Sequence, residues 1–224
     1  MVKTLAECSN FFRSNFDAIF KIFGLYVIVT SIVSPLIELL DLSSQNAGVN
    51  LLYLVVLYFI NTYLMVRFIK FMASSVSSYS KEQKVSFNEW RRLLVIYLLY
   101  TIGVALGSIA LILPGLYIAA KYAFADFEAI LNDKPVFSAF SESWRDTDGI
   151  AGRLMAFSIL IGGAQLLIGF FFTFIGEAST SLYLASEIAD GLISTSLMIF
   201  MSIIYFRLYT EDRSISGEPI EGEV

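Results

Sequence analysis

Two long stretches of the sequence contain no charged side chain, and they constrain the fold more than any other feature. These stretches are Leu93–Ala120 and Leu154–Gly176. Each is longer than the roughly 18–20 apolar residues that a helix needs to cross the hydrocarbon core of a bilayer. The composition agrees, since 57% of the 224 residues are hydrophobic and only 16% are charged. The sequence therefore predicts a membrane protein and excludes a plain water-soluble globule.

Apolar runs recur along the chain and predict an all-α membrane protein with six spanning helices. The predicted spans are Asp17–Leu40, Leu51–Met72, Leu93–Leu113, Leu116–Leu131, Leu154–Ile175 and Glu187–Tyr209. The fourth is the weakest, because Lys121, Asp126 and Glu128 each cost about 2.5–3.5 kcal/mol at a helix centre. Pro114 and Gly115 favour this crossing, because Pro-Gly is typical of a turn between two helices. Residues 1–210 thus form one predicted transmembrane domain, and residues 211–224 form an acidic, disordered cytoplasmic tail.

The positions of the 15 Lys and Arg residues distinguish six crossings from five. Basic residues accumulate on the cytoplasmic side of membrane proteins. Six crossings place all 15 on one face, whereas five would place those of the second half opposite those of the first. The connections without a basic residue are Asp41–Asn50, Pro114–Gly115 and Gly176–Ser186. We expect three helical hairpins with both termini in the cytoplasm.

Three amphipathic segments on the predicted cytoplasmic side each end in an aromatic residue followed by arginine. The segments are Leu5–Arg13, Val85–Arg92 and Val136–Arg145, and their aromatic-arginine pairs are Phe12 with Arg13, Trp90 with Arg91, and Trp144 with Arg145. Aromatic rings settle at the headgroup level, where arginine faces phosphate. We expect interfacial helices that anchor each hairpin to membrane lipids. The first and third segments also align at an offset of 132 residues, which indicates either an internal duplication or chance.

Composition excludes several kinds of chemistry. The chain has no histidine, which removes the usual proton shuttle at neutral pH and the commonest metal ligand. Its single cysteine, Cys8, excludes an intramolecular disulfide and is either an acylation site or an inert thiol. The net charge of −5 gives no basic field for nucleic acid. We therefore expect no catalytic activity, no cofactor, no metal and no nucleic-acid partner.

Four polar residues inside the predicted spans form the candidate intramembrane site: Asn61, Lys121, Glu128 and Gln165. Asn61 and Gln165 lie near the middle of their spans, where an amide can hold a solute or join two helices. Lys121 and Glu128 are seven residues apart and share one helix face, with Asp126 on another. Ionisable residues within a membrane are functional candidates by default.

Other features of the spans and their connections have simpler explanations. The glycines of Gly103-x-x-x-Gly107 and the cluster Gly162-Gly163-Ala164 are typical of close helix packing. The predicted outer face carries five acidic residues and no basic one: Glu38, Asp41, Glu177, Glu187 and Asp190. This asymmetry predicts either a weak cation-attracting vestibule or only the exclusion of Lys and Arg from that face.

Two passages of the sequence resemble a known family when they are taken together. They are Leu113–Tyr117, continued by Lys121–Ala125, and then Phe140–Gly149, which contains Ser143 and Trp144. Their order resembles that of the YciC-like family of bacterial inner-membrane proteins, and of the membrane region attached to some glycerophosphodiester phosphodiesterases. The resemblance implies a six-helix protein of the bacterial cytoplasmic membrane. It does not imply phosphodiesterase activity, which belongs to a separate soluble domain.

Two functions are compatible with these features. The first is a non-enzymatic membrane protein of envelope or lipid homeostasis, or a scaffold, whose partners are membrane lipids and either another protein or a second copy of the chain. The alternative is a small permease with a path near Asn61, Lys121, Glu128 and Gln165. An intramembrane lipid-modifying enzyme is a third class, and it would need polar side chains clustered at one depth.

Overall fold

The structure is a computed structural model that describes residues 1–39, 47–76, 84–110 and 112–216. These residues form helices and no strand. The helices are α1 (Val2–Ser14), α2 (Phe16–Leu39), α3 (Ala47–Val76), α4 (Phe87–Ala110), α5 (Ile112–Lys121), α6 (Ala125–Leu131), α7 (Val136–Asp146), α8 (Ala151–Gly176) and α9 (Thr180–Ser216). Most of the predicted turn Asp41–Asn50 and the end of the predicted tail, residues 217–224, lie outside the described residues.

Five of the described helices are long and apolar enough to cross a membrane. Their apolar windows are Phe16–Val33, Asn50–Val76, Phe87–Ile109, Ala151–Gly176 and Thr180–Glu211, in α2, α3, α4, α8 and α9. The prediction of an all-helical membrane protein is therefore confirmed. The last helix is longer than the predicted span Glu187–Tyr209, because α9 already begins at Thr180 and continues to Ser216. The helix thus takes in part of the predicted outer turn and residues 211–216 of the predicted tail.

The fourth predicted span is divided into the two short helices α5 and α6. Residues 122–124 form the turn between them. Both helices run antiparallel along α4, since Tyr97 contacts Asp126, and Arg92 donates to Ala129 O at 2.7 Å and to Asp133 Oδ1 at 3.0 Å. The segment therefore returns along the full length of α4, although neither of its helices is long enough to span a bilayer alone.

The sequence predicted that Pro114 and Gly115 form the turn before this segment, but they do not. Both lie in the first turns of α5, which begins at Ile112. Proline is tolerated there because the first N–H groups of a helix have no partner within the helix. Gly115 instead lets α5 approach α4, since an added Cβ would lie 2.1 Å from Ser108 Oγ and 2.8 Å from Ser108 N. An added Cβ at Gly107 would likewise lie 2.9 Å from Gly115 Cα, which confirms close packing at Gly107.

Six helices form a closed ring. Going round it, α2 packs on α3, α3 on α4, α4 on α5, α5 on α8, α8 on α9, and α9 on α2. The small residue Gly191 brings α9 against α2, because an added Cβ there would lie 2.8 Å from Ser31 Oγ. The remaining helices lie at one end of the ring, where α1 contacts α9 and α2, and α6 and α7 contact each other and α4.

That end of the ring, which we call the basic end, contains the ion pairs that the described basic residues form between helices. Helices are tied together there by Lys70 with Glu89 at 2.6 Å, Arg92 with Asp133 at 3.0 Å, Lys134 with Glu142 at 3.2 Å, Arg153 with Glu211 at 3.2 Å, and Arg207 with Glu7 at 2.9 Å. A layer of aromatic side chains closes the centre of the ring at this end. We call it the aromatic layer: Phe124, Phe127, Phe206 and Tyr209.

Two of the three predicted interfacial segments are separate helices, α1 and α7. The middle one is not, because α4 begins at Phe87 and already contains Trp90 and Arg91. Its early start has a local cause: Glu89 Oε2 accepts the backbone N–H of Ser86 at 2.8 Å, as in the capping motif Ser-x-x-Glu. The two segments related by the offset of 132 residues share one pattern, a short helix followed by a long one.

Candidate functional site

The ring of helices surrounds a partly open cavity of about 700 Å³. Every member of the ring contributes to its wall, and α6 contributes at the basic end. The polar side chains in the wall are Tyr26, Thr30, Tyr58, Asn61, Tyr97, Tyr100, Thr101, Tyr122, Asp126, Ser158, Gln165, Ser194, Thr195, Ser202 and Tyr205. A volume of this size lies in the range of small-molecule sites, which is about 300–1,000 Å³. We call this space the central cavity.

Asp126 is the acidic residue in the wall of the central cavity. The turn at residues 122–124 redirects the chain so that α6 presents this residue to the centre of the ring. Its Oδ1 accepts the backbone N–H of Phe127 at 2.8 Å, and its Oδ2 lies 3.4 Å from the hydroxyl of Tyr97. Among the described residues Asp126 forms no ion pair. A carboxyl group that has hydrogen-bond donors but no cationic partner among the described residues thus faces the cavity.

Asn61 and Gln165, two of the four predicted site residues, both line the central cavity. Asn61 Oδ1 is buried and accepts no hydrogen bond from the described residues. A buried amide oxygen without a partner costs free energy unless a ligand or water fills the gap. Other polar groups nearby are satisfied, since the Tyr58 hydroxyl donates to Leu94 O at 2.9 Å, and the hydroxyls of Ser158 and Tyr205 lie 2.6 Å apart.

A second cavity of about 400 Å³ continues the first, and the two share Gly162, Gln165 and Ser194. It lies between α8 and α9 and extends to Thr173 and Asp190, toward the turn that joins these helices. From Asp190 to Tyr205 the two cavities follow α9 for about 22 Å, at about 1.5 Å per residue. We call this second space the side cavity. Asp190 Oδ1 within it is buried and has no hydrogen-bond partner among the described residues.

The sequence predicted that Gly162 and Gly163 bring helices together, but they do not. An added Cβ at either position would meet no atom within 4 Å. Gly162 lines both cavities, so a side chain at this position would lie where the two adjoin. Gly163 lines neither cavity.

Lys121, another of the four predicted site residues, lies outside both cavities. Its side chain is completely buried and ties the end of α5 to α7. The Nζ atom donates to the backbone oxygen of Trp144, forms an ion pair with Asp148, and lies 5.0 Å from the centre of the Trp144 ring. These contacts give Lys121 a structural role at the basic end.

Glu128 is also buried but faces a different helix from Lys121. Its Oε2 accepts from Asn132 Nδ2 at 2.8 Å, and the same nitrogen lies 3.0 Å from the hydroxyl of Tyr209 in α9. The prediction that Lys121 and Glu128 share a face is wrong, because it assumed one continuous helix. The turn at residues 122–124 places the two side chains on separate helices.

Side chains of α7 hold this turn in place. Ser143 Oγ donates to Lys121 O at 2.8 Å and accepts the backbone N–H of Phe124 at 3.1 Å. Thr147 Oγ1 lies 3.2 Å from the same Lys121 oxygen. These hydroxyls satisfy backbone groups that lose their helical partners where α5 ends. The two passages that carried the family resemblance therefore pack against each other here.

The sequence contains a signal for the central cavity that the span-by-span analysis missed. Polar and small residues recur at helical spacing within apolar spans, and each set lies on one helix face. The sets are Tyr97, Tyr100 and Thr101 in α4; Ser158, Gly162 and Gln165 in α8; and Ser194, Ser202 and Tyr205 in α9. The sequence analysis placed Asp126 on a different face from Lys121 and Glu128, as the structure does, but it did not relate Asp126 to these sets.

Cys8 lies outside the spans, in α1, and its surroundings favour the inert thiol of the two sequence hypotheses. The side chain is 2% exposed. Burial raises the pKa of the Cys8 thiol to about 11, and Arg207 nearby lowers it only in part. Because the thiolate is the reactive form, this raised pKa suppresses acylation and oxidation at neutral pH.

Comparison with known proteins places the chain in a family without assigning an activity. The family described as a domain of unknown function (DUF7847) matches residues 39–210. The match covers more than half of the chain, so the protein belongs to this family. No curated protein and no solved structure matches it. The resemblance to the YciC-like family stays a prediction.

Proposed function

We propose that this member of the DUF7847 family is a small permease whose solute passes through the central cavity. The observation that carries the proposal is a ring of helices around a cavity whose wall includes many polar side chains, in a chain whose spanning helices are mostly apolar. Polar groups inside a membrane protein are costly and are typical of substrate pathways. The side cavity extends this path toward the turn between α8 and α9, and the aromatic layer blocks it at the basic end.

The orientation of the path follows from the basic residues. We propose that the basic end faces the cytoplasm, because Lys and Arg accumulate on that side. Both termini are then cytoplasmic, and the segment of α5 and α6 makes a sixth crossing beside α4. The chain forms three hairpins, in which α2 pairs with α3, α4 with α5 and α6, and α8 with α9. In this arrangement α1 and α7 lie in the cytoplasmic interface, with Arg13 and Arg145 exposed to lipid headgroups.

The scaffold hypothesis explains the interfacial helices but not the cavity. A scaffold needs exposed docking surfaces but no cavity, so apolar side chains could fill the centre of its ring. The wall instead contains the carboxyl group of Asp126 and the amide of Asn61, whose buried Oδ1 has no hydrogen-bond partner among the described residues. Replacing these residues by apolar ones would fill the ring at no cost to a scaffold. Partners such as a second protein or a second copy of the chain stay predictions.

Water access to the cavity tests the permease proposal. The variant Cys8→Ser removes the single thiol, and Asn61→Cys or Gln165→Cys then places a thiol in the cavity wall. We expect a membrane-impermeant, water-soluble methanethiosulfonate to modify both thiols in sealed vesicles. The reagent should act from the face opposite the basic end, since the side cavity extends that way.

Leu167→Cys is the matched control, because Leu167 lies on the same helix, is 72% exposed and lines neither cavity. In lipid its thiol is shielded from an aqueous reagent, so it should stay unmodified. The proposal is wrong if Asn61→Cys and Gln165→Cys are as unreactive as Leu167→Cys in folded protein. A cavity without water cannot carry a polar solute.

A further inference from the structure

We infer that the solute of this path is a small organic cation with an alkylated ammonium group. The inference rests on the proposed function and adds the chemical class of the solute. Three properties of the walls carry it: the sign of their charge, their aromatic rings, and the volume that they enclose. Each excludes a different class of competing ligand.

The charge of the walls excludes anions. The two cavities contain the carboxyl groups of Asp126 and Asp190, and neither cavity is lined by a lysine or arginine. The basic residues with described contacts lie at the basic end, paired there with other acidic residues. An anion would meet carboxylates in a medium of low dielectric constant, where repulsion is strong. A cation would be attracted to these carboxyl groups, which form no ion pair with a described lysine or arginine.

The aromatic lining favours an organic cation over a solvated metal ion. Six tyrosines line the central cavity: Tyr26, Tyr58, Tyr97, Tyr100, Tyr122 and Tyr205. The faces of such rings attract ammonium groups, and alkylated ammonium ions bind to aromatic cages in this way. Metal ions instead need several oxygen, nitrogen or sulfur ligands at close range. The described residues contain no group of three His, Cys, Asp or Glu side chains that could hold one.

The volume agrees with an organic solute. A cavity of about 700 Å³ is far larger than a single inorganic ion requires. The unpaired Oδ1 of Asn61 adds an acceptor that can take a hydrogen bond from a hydroxyl or amine of the solute. A compact quaternary ammonium alcohol combines all these features, and choline is a suitable probe of the class.

Protection of a cavity thiol tests the inference with weak ligands. We use Gln165→Cys in the Cys8→Ser background and measure how choline slows modification by an uncharged thiol reagent. The neutral alcohol 3,3-dimethylbutan-1-ol has the same shape without the charge. We expect choline to protect the thiol at a concentration about tenfold lower than the alcohol, as an added charge and cation–π attraction predict.

Variants test whether the preference for choline over the alcohol arises in the cavity. Asp126→Asn should remove most of the difference between choline and the alcohol, and Tyr100→Leu should reduce it while Tyr100→Phe keeps it, because the ring is retained. Asp17→Asn, an exposed acid outside both cavities, should leave the preference unchanged. Melting temperatures of the purified variants show which of them are folded.

The outcomes separate the two proposals. If Gln165→Cys reacts but choline and the alcohol protect it equally, or if the preference survives Asp126→Asn in folded protein, the cation inference is wrong and the permease proposal stands. If Gln165→Cys is unreactive in folded protein, both fail. A choline preference that depends on Asp126 and on the Tyr100 ring supports the inference.

Discussion

The basic end and the cavity use the same helices in opposite ways. At the basic end α3, α8 and α9 contribute buried aromatic rings and ion pairs, and side chains such as Phe127 and Phe68 have almost no exposed surface. Toward the other end the same helices expose large apolar side chains outward and enclose polar space. The molecule is therefore packed like a soluble core at one end only.

This difference follows from the two solvents that a membrane protein meets. Near the interface, water drives apolar side chains together, and it hydrates the ion pairs so that their desolvation costs little free energy. Within lipid, outward-facing leucine and phenylalanine lose nothing by exposure, so helices associate through small residues such as Gly107, Gly115 and Gly191. A cavity can persist there because the stability of the fold comes from the other end.

The largest effect on stability is expected in the aromatic layer. Phe127 is 1% exposed, and the centre of its ring lies 5.2 Å from that of Tyr209 and 5.6 Å from that of Phe206. Phe127→Ala should lower the free energy of unfolding by about 3–5 kcal/mol, measured by denaturation in detergent. Phe174→Ala, at a site that is 76% exposed on α8, should change it by less than about 0.5 kcal/mol. Similar losses at both sites would contradict the contrast between the two ends.

A smaller effect is expected where α7 holds the turn between α5 and α6. Ser143→Ala removes the hydroxyl that bonds Lys121 O and Phe124 N, and it leaves a buried N–H group without its partner. The expected loss is about 1–3 kcal/mol in the free energy of unfolding. Ser141→Ala on the exposed face of the same helix is the control and should be near neutral. If the two variants are equally stable, the turn does not depend on α7.

Much of the fold could be predicted from the sequence, because its determinants are local. Long segments without charged residues predict the long helices. The positions of Lys and Arg predict one shared basic end, where Arg92, Arg153 and Arg207 form ion pairs. The capping motif of Ser86 and Glu89 is also local, and it explains why the middle anchor is part of α4. None of these features requires knowledge of which helices touch.

The site could be predicted only in part, because it depends on how helices are rotated and broken. Asn61 and Gln165 were identified as intramembrane polar residues, and they do line the cavity. The predicted site included Lys121 and Glu128 and left out Asp126, on the assumption of one continuous helix. That assumption fails because Ser143, a residue distant in sequence, satisfies the backbone at the turn. A tertiary contact of this kind leaves no trace in the hydropathy or spacing of the segment itself.

The smallest effect on stability, combined with a clear effect on access, is expected at Gly162. An added Cβ there meets no atom within 4 Å, so Gly162→Leu should change the free energy of unfolding by no more than about 1 kcal/mol, and helix propensity favours the change. The new side chain would lie where the central and side cavities join. Modification of Asn61→Cys by the aqueous reagent should then slow by roughly tenfold, equivalent to about 1.4 kcal/mol.

Gly163→Leu makes the same change on the next residue, where an added Cβ also meets nothing and no cavity is lined. It should leave the modification rate of Asn61→Cys unchanged. Equal rates in the two leucine variants would show that solutes do not reach Asn61 past Gly162, and the path would have to enter elsewhere. If only Gly162→Leu slows the modification of Asn61→Cys and the two leucine variants are equally stable, the effect is on access and not on stability. That result would connect the open end of the ring to function.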